Sequence, residues 1–92
     1  MAARSPRWRI GRDVAYEFLE DEAIALHLTT GTYYRLNPVA ASAWRHLAGG
    51  SAMDDVVERL LAEFEVDRNS LEADLRGLFA DLERYGLLTR RA

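Results

Sequence analysis

The chain has 92 residues, 49% of them hydrophobic and 29% charged, with a net charge of −3 and no cysteine. That length suits one compact domain, which buries somewhat over ~60% of the surface its unfolded chain exposes. The missing thiols exclude a disulfide framework, a thiolate zinc site and a cysteine nucleophile, and the negative charge disfavours nucleic acid as the main partner.

No apolar run approaches the ~18 residues that span a bilayer, and the N-terminus lacks the apolar segment of a secretion signal. The expected compartment is therefore the cytoplasm, without membrane contact. Residues 1–11 carry Arg4, Arg7 and Arg9 together with Ser5-Pro6 and Gly11. They read as a basic, partly ordered arm ahead of one domain over residues 12–90. Trp8 and Ile10 alternate as in a short strand, or pack onto the domain edge.

From Val14 the pattern changes to period two. Val14, Tyr16 and Phe18 share one face of a strand. Glu20-Asp21-Glu22 is a polar turn. Ile24, Leu26 and Leu28 then alternate in a second strand, with Ala25 and His27 on its opposite face. Thr29-Thr30-Gly31 is another turn, and residues 32–36, Thr-Tyr-Tyr-Arg-Leu, form a third strand rich in aromatic and β-branched side chains. Turns this short join antiparallel neighbours, so residues 14–36 predict a three-stranded meander.

Asn37-Pro38 ends the sheet, with Asn as N-cap and Pro at the first helical position. Ala40, Ala43, Trp44 and Leu47 follow at helical spacing until Gly49-Gly50. Ser51 is placed to cap a second helix whose apolar face is Met53, Val56, Val57, Leu60, Leu61 and Phe64. Asp67 or Asn69 opens a third, which presents Leu71, Leu75, Leu78, Phe79, Leu82 and Tyr85 before a C-cap at Gly86. Strands come first and helices after, which makes the fold class α+β: a three-stranded antiparallel meander followed by three helices, winged helix-turn-helix-like.

Little here supports catalysis. The two histidines, His27 and His46, lie in different elements and read as edge or surface side chains, and no glycine-rich phosphate loop follows a strand. Asp54-Asp55 sits in the first turn of a helix, where acids offset the macrodipole. A winged-helix DNA-binding regulator is the alternative reading. Against it, the third helix sets Asp67, Glu72, Asp74, Asp81 and Glu83 against only Arg68, Arg76 and Arg84, which opposes phosphate attraction.

The third strand is the distinctive feature. Residues 32–36 hold no Pro, and their one charge is Arg35, so nothing blocks the sheet edge against an added chain. An open strand beside an apolar helix accepts an extended peptide, with main-chain bonds for affinity and alternate side chains for selectivity. Alternation sends one of Tyr33 and Tyr34 inward and the other outward. Phe79 lies to the side of the Leu71-Leu75-Leu78-Leu82 stripe, where it either walls a groove or packs against another helix.

The run Thr30-Gly31-Thr32-Tyr33-Tyr34-Arg35-Leu36-Asn37, then Ala43-Trp44-Arg45-His46-Leu47 with Gly49-Gly50, resembles the PqqD family of peptide chaperones, also called RiPP precursor peptide recognition elements. The Leu71, Leu75, Leu78, Leu82, Gly86-Leu87 spacing is similar too, and the resemblance covers residues 14–88. It implies a non-enzymatic domain without cofactor or metal. That domain binds the leader of a ribosomally made precursor peptide, antiparallel to the third strand, in the cleft beside the third helix. By position the site is Thr32, Tyr33, Tyr34, Arg35 and Leu36 on the edge and Leu71, Leu75, Leu78 and Phe79 on the helix. The implied partners are the precursor peptide and a modifying enzyme such as a leader peptidase or a radical-SAM enzyme. The aromatic third strand and free-standing length look closest to lasso-peptide members, and the expected state is a monomer or weak homodimer.

Overall fold

In the computed structural model, which describes residues 7–90, the chain runs β1 (Trp8–Ile10), β2 (Val14–Leu19), β3 (Glu22–His27), β4 (Tyr33–Leu36), α1 (Pro38–Ala48), α2 (Met53–Glu63), α3 (Arg68–Arg84) and β5 (Leu88–Arg90). The fold is α+β. Strands β2, β3 and β4 form an antiparallel sheet in sequential order, and β1 pairs with β5 in a separate two-stranded ribbon. Of the basic arm, Arg4 and Ser5-Pro6 fall outside the described residues.

The expected meander is present, and its two turns differ in kind. Leu19 pairs with Glu22, so Glu20 and Asp21 alone connect β2 to β3. Glu20 takes φ +58°, a left-handed conformation that costs a side-chain-bearing residue free energy. At the β3–β4 turn Gly31 supplies the positive φ, and the His27 Nδ1 accepts from the backbone N–H groups of Thr29 and Thr30, both at 3.3 Å. His27 is thus a half-buried turn residue.

The inward face of β3 differs from the expected one. Ala23 and Ala25 are fully buried, and Ile24 and Leu26 lie on the opposite side. Register explains the choice: Tyr16 stands opposite Ala25 and Phe18 opposite Ala23, so bulky and small side chains alternate across the inner face. That leaves room for Trp44 of α1, whose ring meets Tyr16 edge-on at 5.4 Å, while the Arg45 guanidinium lies 4.3 Å over the Phe18 ring.

Three capping arrangements set the helices. Asn37 caps α1 by accepting from the N–H of Ala40 at 2.9 Å, with Pro38 next in line. Asp67, rather than Asn69, caps α3 by accepting from the N–H of Ser70 at 3.0 Å. Ser51 does not cap α2: its N–H donates to the His46 carbonyl, and α2 starts after Ala52 without a side-chain cap. Asp54 and Asp55 in the first turn answer the positive end of the helix instead.

Helix α3 ends in a Schellman motif. The Leu87 N–H donates to the Leu82 carbonyl and the Gly86 N–H to the Glu83 carbonyl, with Gly86 at φ +76°. Leu87 and Leu82 are buried, completing the apolar contact typical of that motif. The reversal sends β5 back against β1, where Trp8 meets Phe79 at 4.8 Å and its indole N–H donates to Glu83 at 2.9 Å. Trp8 is only 5% exposed, so residues 8–10 belong to the folded body.

Candidate functional site: the cleft between β4 and α3

Strand β4 pairs with β3 on one side, and no described strand lies on its other side. The His27 N–H donates to the Thr32 carbonyl at 2.8 Å, which marks that position as a hydrogen-bonded pair. Antiparallel alternation then assigns Tyr34↔Ala25 and Leu36↔Ala23 to the same type. The amides and carbonyls of Tyr33 and Arg35 therefore face the open edge. Side chains follow the complementary rule. Tyr34 and Leu36 point to the helix side, half-buried and buried, while Tyr33 is 69% exposed on the outer face. Arg35 shares that face and donates to Glu22 from Nε at 3.2 Å and Nη2 at 3.1 Å.

A groove of about 410 Å³ opens between the start of α1, which follows directly on β4, and α3. Its floor is apolar: Val39 and Ala40 on one side, Leu71, Leu75 and Leu78 on the other, with Val66 at the end. Asp67, Ser70 and Asp74 form its polar rim along α3. At the far end the rings of Tyr34 and Tyr85 stand together. A cleft with an apolar floor, two walls and a row of unpaired main-chain groups suits an extended chain with alternating apolar side chains.

The connection from α2 to α3 is held from behind. Glu63, the last residue of α2, accepts from the Ser42 hydroxyl and bonds His46 Nε2 at 2.8 Å, tying α2 to α1 just before Val66 enters the groove. Ser42 is 5% exposed, so its hydroxyl needs that partner. The Ser42 hydrogen bond lowers the Glu63 pKa; burial opposes this, and His46 and Arg45 lower it further.

Of the sequence-derived site residues, Leu71, Leu75 and Leu78 line the groove, Tyr34 stands on the helix side of β4 against Tyr85, Leu36 is fully buried in the core, and Tyr33 and Arg35 turn their backbone groups to the open edge. Thr32 stands at the strand entrance with its carbonyl committed to His27. Phe79 is elsewhere. It is 2% exposed, packs on Trp8, and lines a second cavity with Met53 and Val57. Sequence reading missed Val39, Val66, Asp74 and Tyr85. Asp67, Ser70, Asp74 and Leu78 recur every three or four residues beside the buried stripe, a signal that was available.

The outer charges of α3 are poorly disposed for a nucleic-acid groove. Arg68 is engaged by Glu58 and by Glu72, and Arg84 by Asp81 at 3.4 Å. Among the described residues no helix is long and apolar enough to cross a membrane, and no cluster of side chains suits a metal ion.

A three-stranded antiparallel meander with one unpaired edge among the described residues, followed by three helices, defines an α+β domain of the winged helix-turn-helix-like kind. The chain belongs to the PqqD family: the model for Coenzyme PQQ synthesis protein D matches residues 22–88. It is similar to TbiB1, solved in complex with the TbiA(beta) leader peptide, at 36% identity over 91% of this chain and 98% of that one, with a TM-score of 0.83. It is also similar to lasso peptide synthetase B1 complexed with the leader peptide, at 26% identity over 90% of this chain and 98% of that one, with a TM-score of 0.80. No curated protein sequence matches the chain.

Proposed function

We propose that this chain captures the leader segment of a ribosomally made precursor peptide as a strand added antiparallel to β4, and presents it to a modifying enzyme. The observation that carries the reading is the pair of edge-directed backbone units at Tyr33 and Arg35, set against an apolar groove on α3. That two similar structures are complexes with leader peptides supports it. In this reading Tyr34, Leu71, Leu75 and Leu78 receive the inward side chains of the leader, Thr32 to Leu36 supply the edge through their backbone, and Phe79 stiffens α3 from behind. The domain works by binding alone, without cofactor, in the cytoplasm. Its pathway is of the lasso type, with a leader peptidase as the receiving enzyme.

Titration with the TbiA(beta) leader peptide tests this. The expected affinity is micromolar or tighter, about −8 kcal/mol or better. Arg35→Pro removes an edge-directed N–H while sparing the ladder to β3, so it should weaken binding at least ~10-fold in a protein that still folds. Folded protein that ignores the leader, or an Arg35→Pro variant that binds it equally well, contradicts the reading.

A further inference from the structure

Helix α2 ends on a charge of the wrong sign. Its last turn holds no basic residue and closes on Glu63, although a carboxylate there meets the negative end of the helix dipole. Ser42 is as unexpected on α1. It is buried with Ala41 and Ala43 on either side, where a further alanine would favour the helix and leave no hydroxyl to satisfy. Local folding therefore calls for neither residue. Their partnership accounts for both: the Ser42 hydroxyl donates to Glu63 Oε2, and His46, one turn further along α1, holds Oε1 at 2.8 Å.

We propose that Glu63 is a positioning residue for leader binding, which through Ser42 and His46 sets the separation between the two walls of the groove. The proposal rests on the leader-capture reading and deepens it. One wall begins at Val39 and Ala40, which lie within a helical turn of Ser42. The other begins at Val66, three residues after Glu63. Phe64 is extended, at φ −126° and ψ 148°, so the chain leaves α2 at once, and three residues reach at most ~10 Å. Asp67 then caps α3 through the N–H of Ser70, so the leucine-bearing wall starts from the same tether. The grip is two-pointed. Ser42 and His46 are four residues apart on one face of α1 and hold the two oxygens of one carboxylate, which fixes the end of α2 in rotation as well as in distance. Replacing both partners of a buried hydrogen bond by apolar groups is nearly neutral for stability. What this tie contributes is geometry, at the place where α1 and α3 must stand the right distance apart to admit apolar side chains between them.

The test is titration with the TbiA(beta) leader peptide of Glu63→Ala, Glu63→Gln, Ser42→Ala and the Ser42→Ala/Glu63→Ala double variant, each at a temperature where its melt shows it fully folded. Glu63→Ala should weaken binding about fivefold or more, the scale of one hydrogen bond's net contribution. Glu63→Gln keeps an oxygen that accepts from the Ser42 hydroxyl, and should return affinity to within about twofold of the unmodified chain. The double variant should lose no more than the worse single one, because both changes sever one tie. Ser42→Ala keeps the test decisive if Glu63→Ala does not fold, since alanine suits a buried helical position, and it should weaken binding by more than about twofold. Affinity within about twofold of the unmodified chain in folded Glu63→Ala or Ser42→Ala overturns the proposal and leaves the tie purely structural. So do losses that multiply in the double variant, and so does Glu63→Gln binding no better than Glu63→Ala. Failure of the unmodified chain to bind the leader is a separate result and strikes the capture reading itself.

Discussion

Tyr34 on the edge strand and Tyr85 at the C-cap of α3 meet with ring centroids 6.0 Å apart, which joins β4 to the end of the last helix. Tyr85 is 42% exposed, so little of the core depends on it. Tyr85→Ala should weaken leader binding by about 1 kcal/mol, the scale of an aromatic pair, while the melting temperature barely moves. Calorimetric titration beside a thermal melt checks this; a lower melting temperature with unchanged affinity would make the contact purely structural.

Phe79 and Leu78 should separate by readout. Phe79 is buried against Trp8, so Phe79→Ala is expected to destabilise the fold by about 3–5 kcal/mol. Trp8→Ala belongs to the same class, and the two should couple by about 0.5–1.5 kcal/mol in a double-mutant cycle read by urea unfolding. Leu78→Ala, half-buried on the groove floor, should lose leader affinity more than stability.

Glu20 offers a stabilising change. Its φ of +58° is one that glycine adopts without strain, and the two-residue hairpin loop favours glycine at its first position. Glu20→Gly should raise stability by up to about 1 kcal/mol, the relief of strain being partly offset by the flexibility glycine adds to the unfolded chain. A melting temperature below that of the unmodified chain would contradict the strain argument.

Acid should loosen the α1–α2 tie. The folded pKa of Glu63 lies below its ordinary value, chiefly because the Ser42 hydroxyl donates to the carboxylate. The unfolded chain therefore takes up that proton first as pH falls. Its contribution is complete above the ordinary carboxylate range and is lost as pH drops through the depressed folded value. Glu63→Gln should flatten the acid side of the stability profile below about pH 5. An identical acid limb in both proteins would mean that other carboxylates set it.

Much of the architecture was readable from local pattern. Period-two alternation, Asn37-Pro38, the Gly49-Gly50 stop and Gly86 each act through neighbours in sequence, and each appears where expected. The open edge was readable as well, since Pro and inward charge are properties of the strand itself. The errors came from places where another element decides. β3 carries apolar residues on both faces, so alternation alone could not say which face turns inward; Tyr16 and Phe18 on the neighbouring strand made that choice by filling the space beside Ala25 and Ala23.

Phe79 teaches the same lesson. The helical wheel sets it beside the leucine stripe and stops there. Whether that flank is groove or core depends on β1 and β5, which are far apart in sequence and lie against each other only once α3 has turned the chain back. Sequence by itself determined the three meander strands and the three helices and left β4 without a blocking residue, because those are matters of nearest neighbours. Only tertiary structure decided which side of α3 is sealed by Trp8 and which faces the open edge, because burial is a property of whatever arrives from elsewhere in the chain.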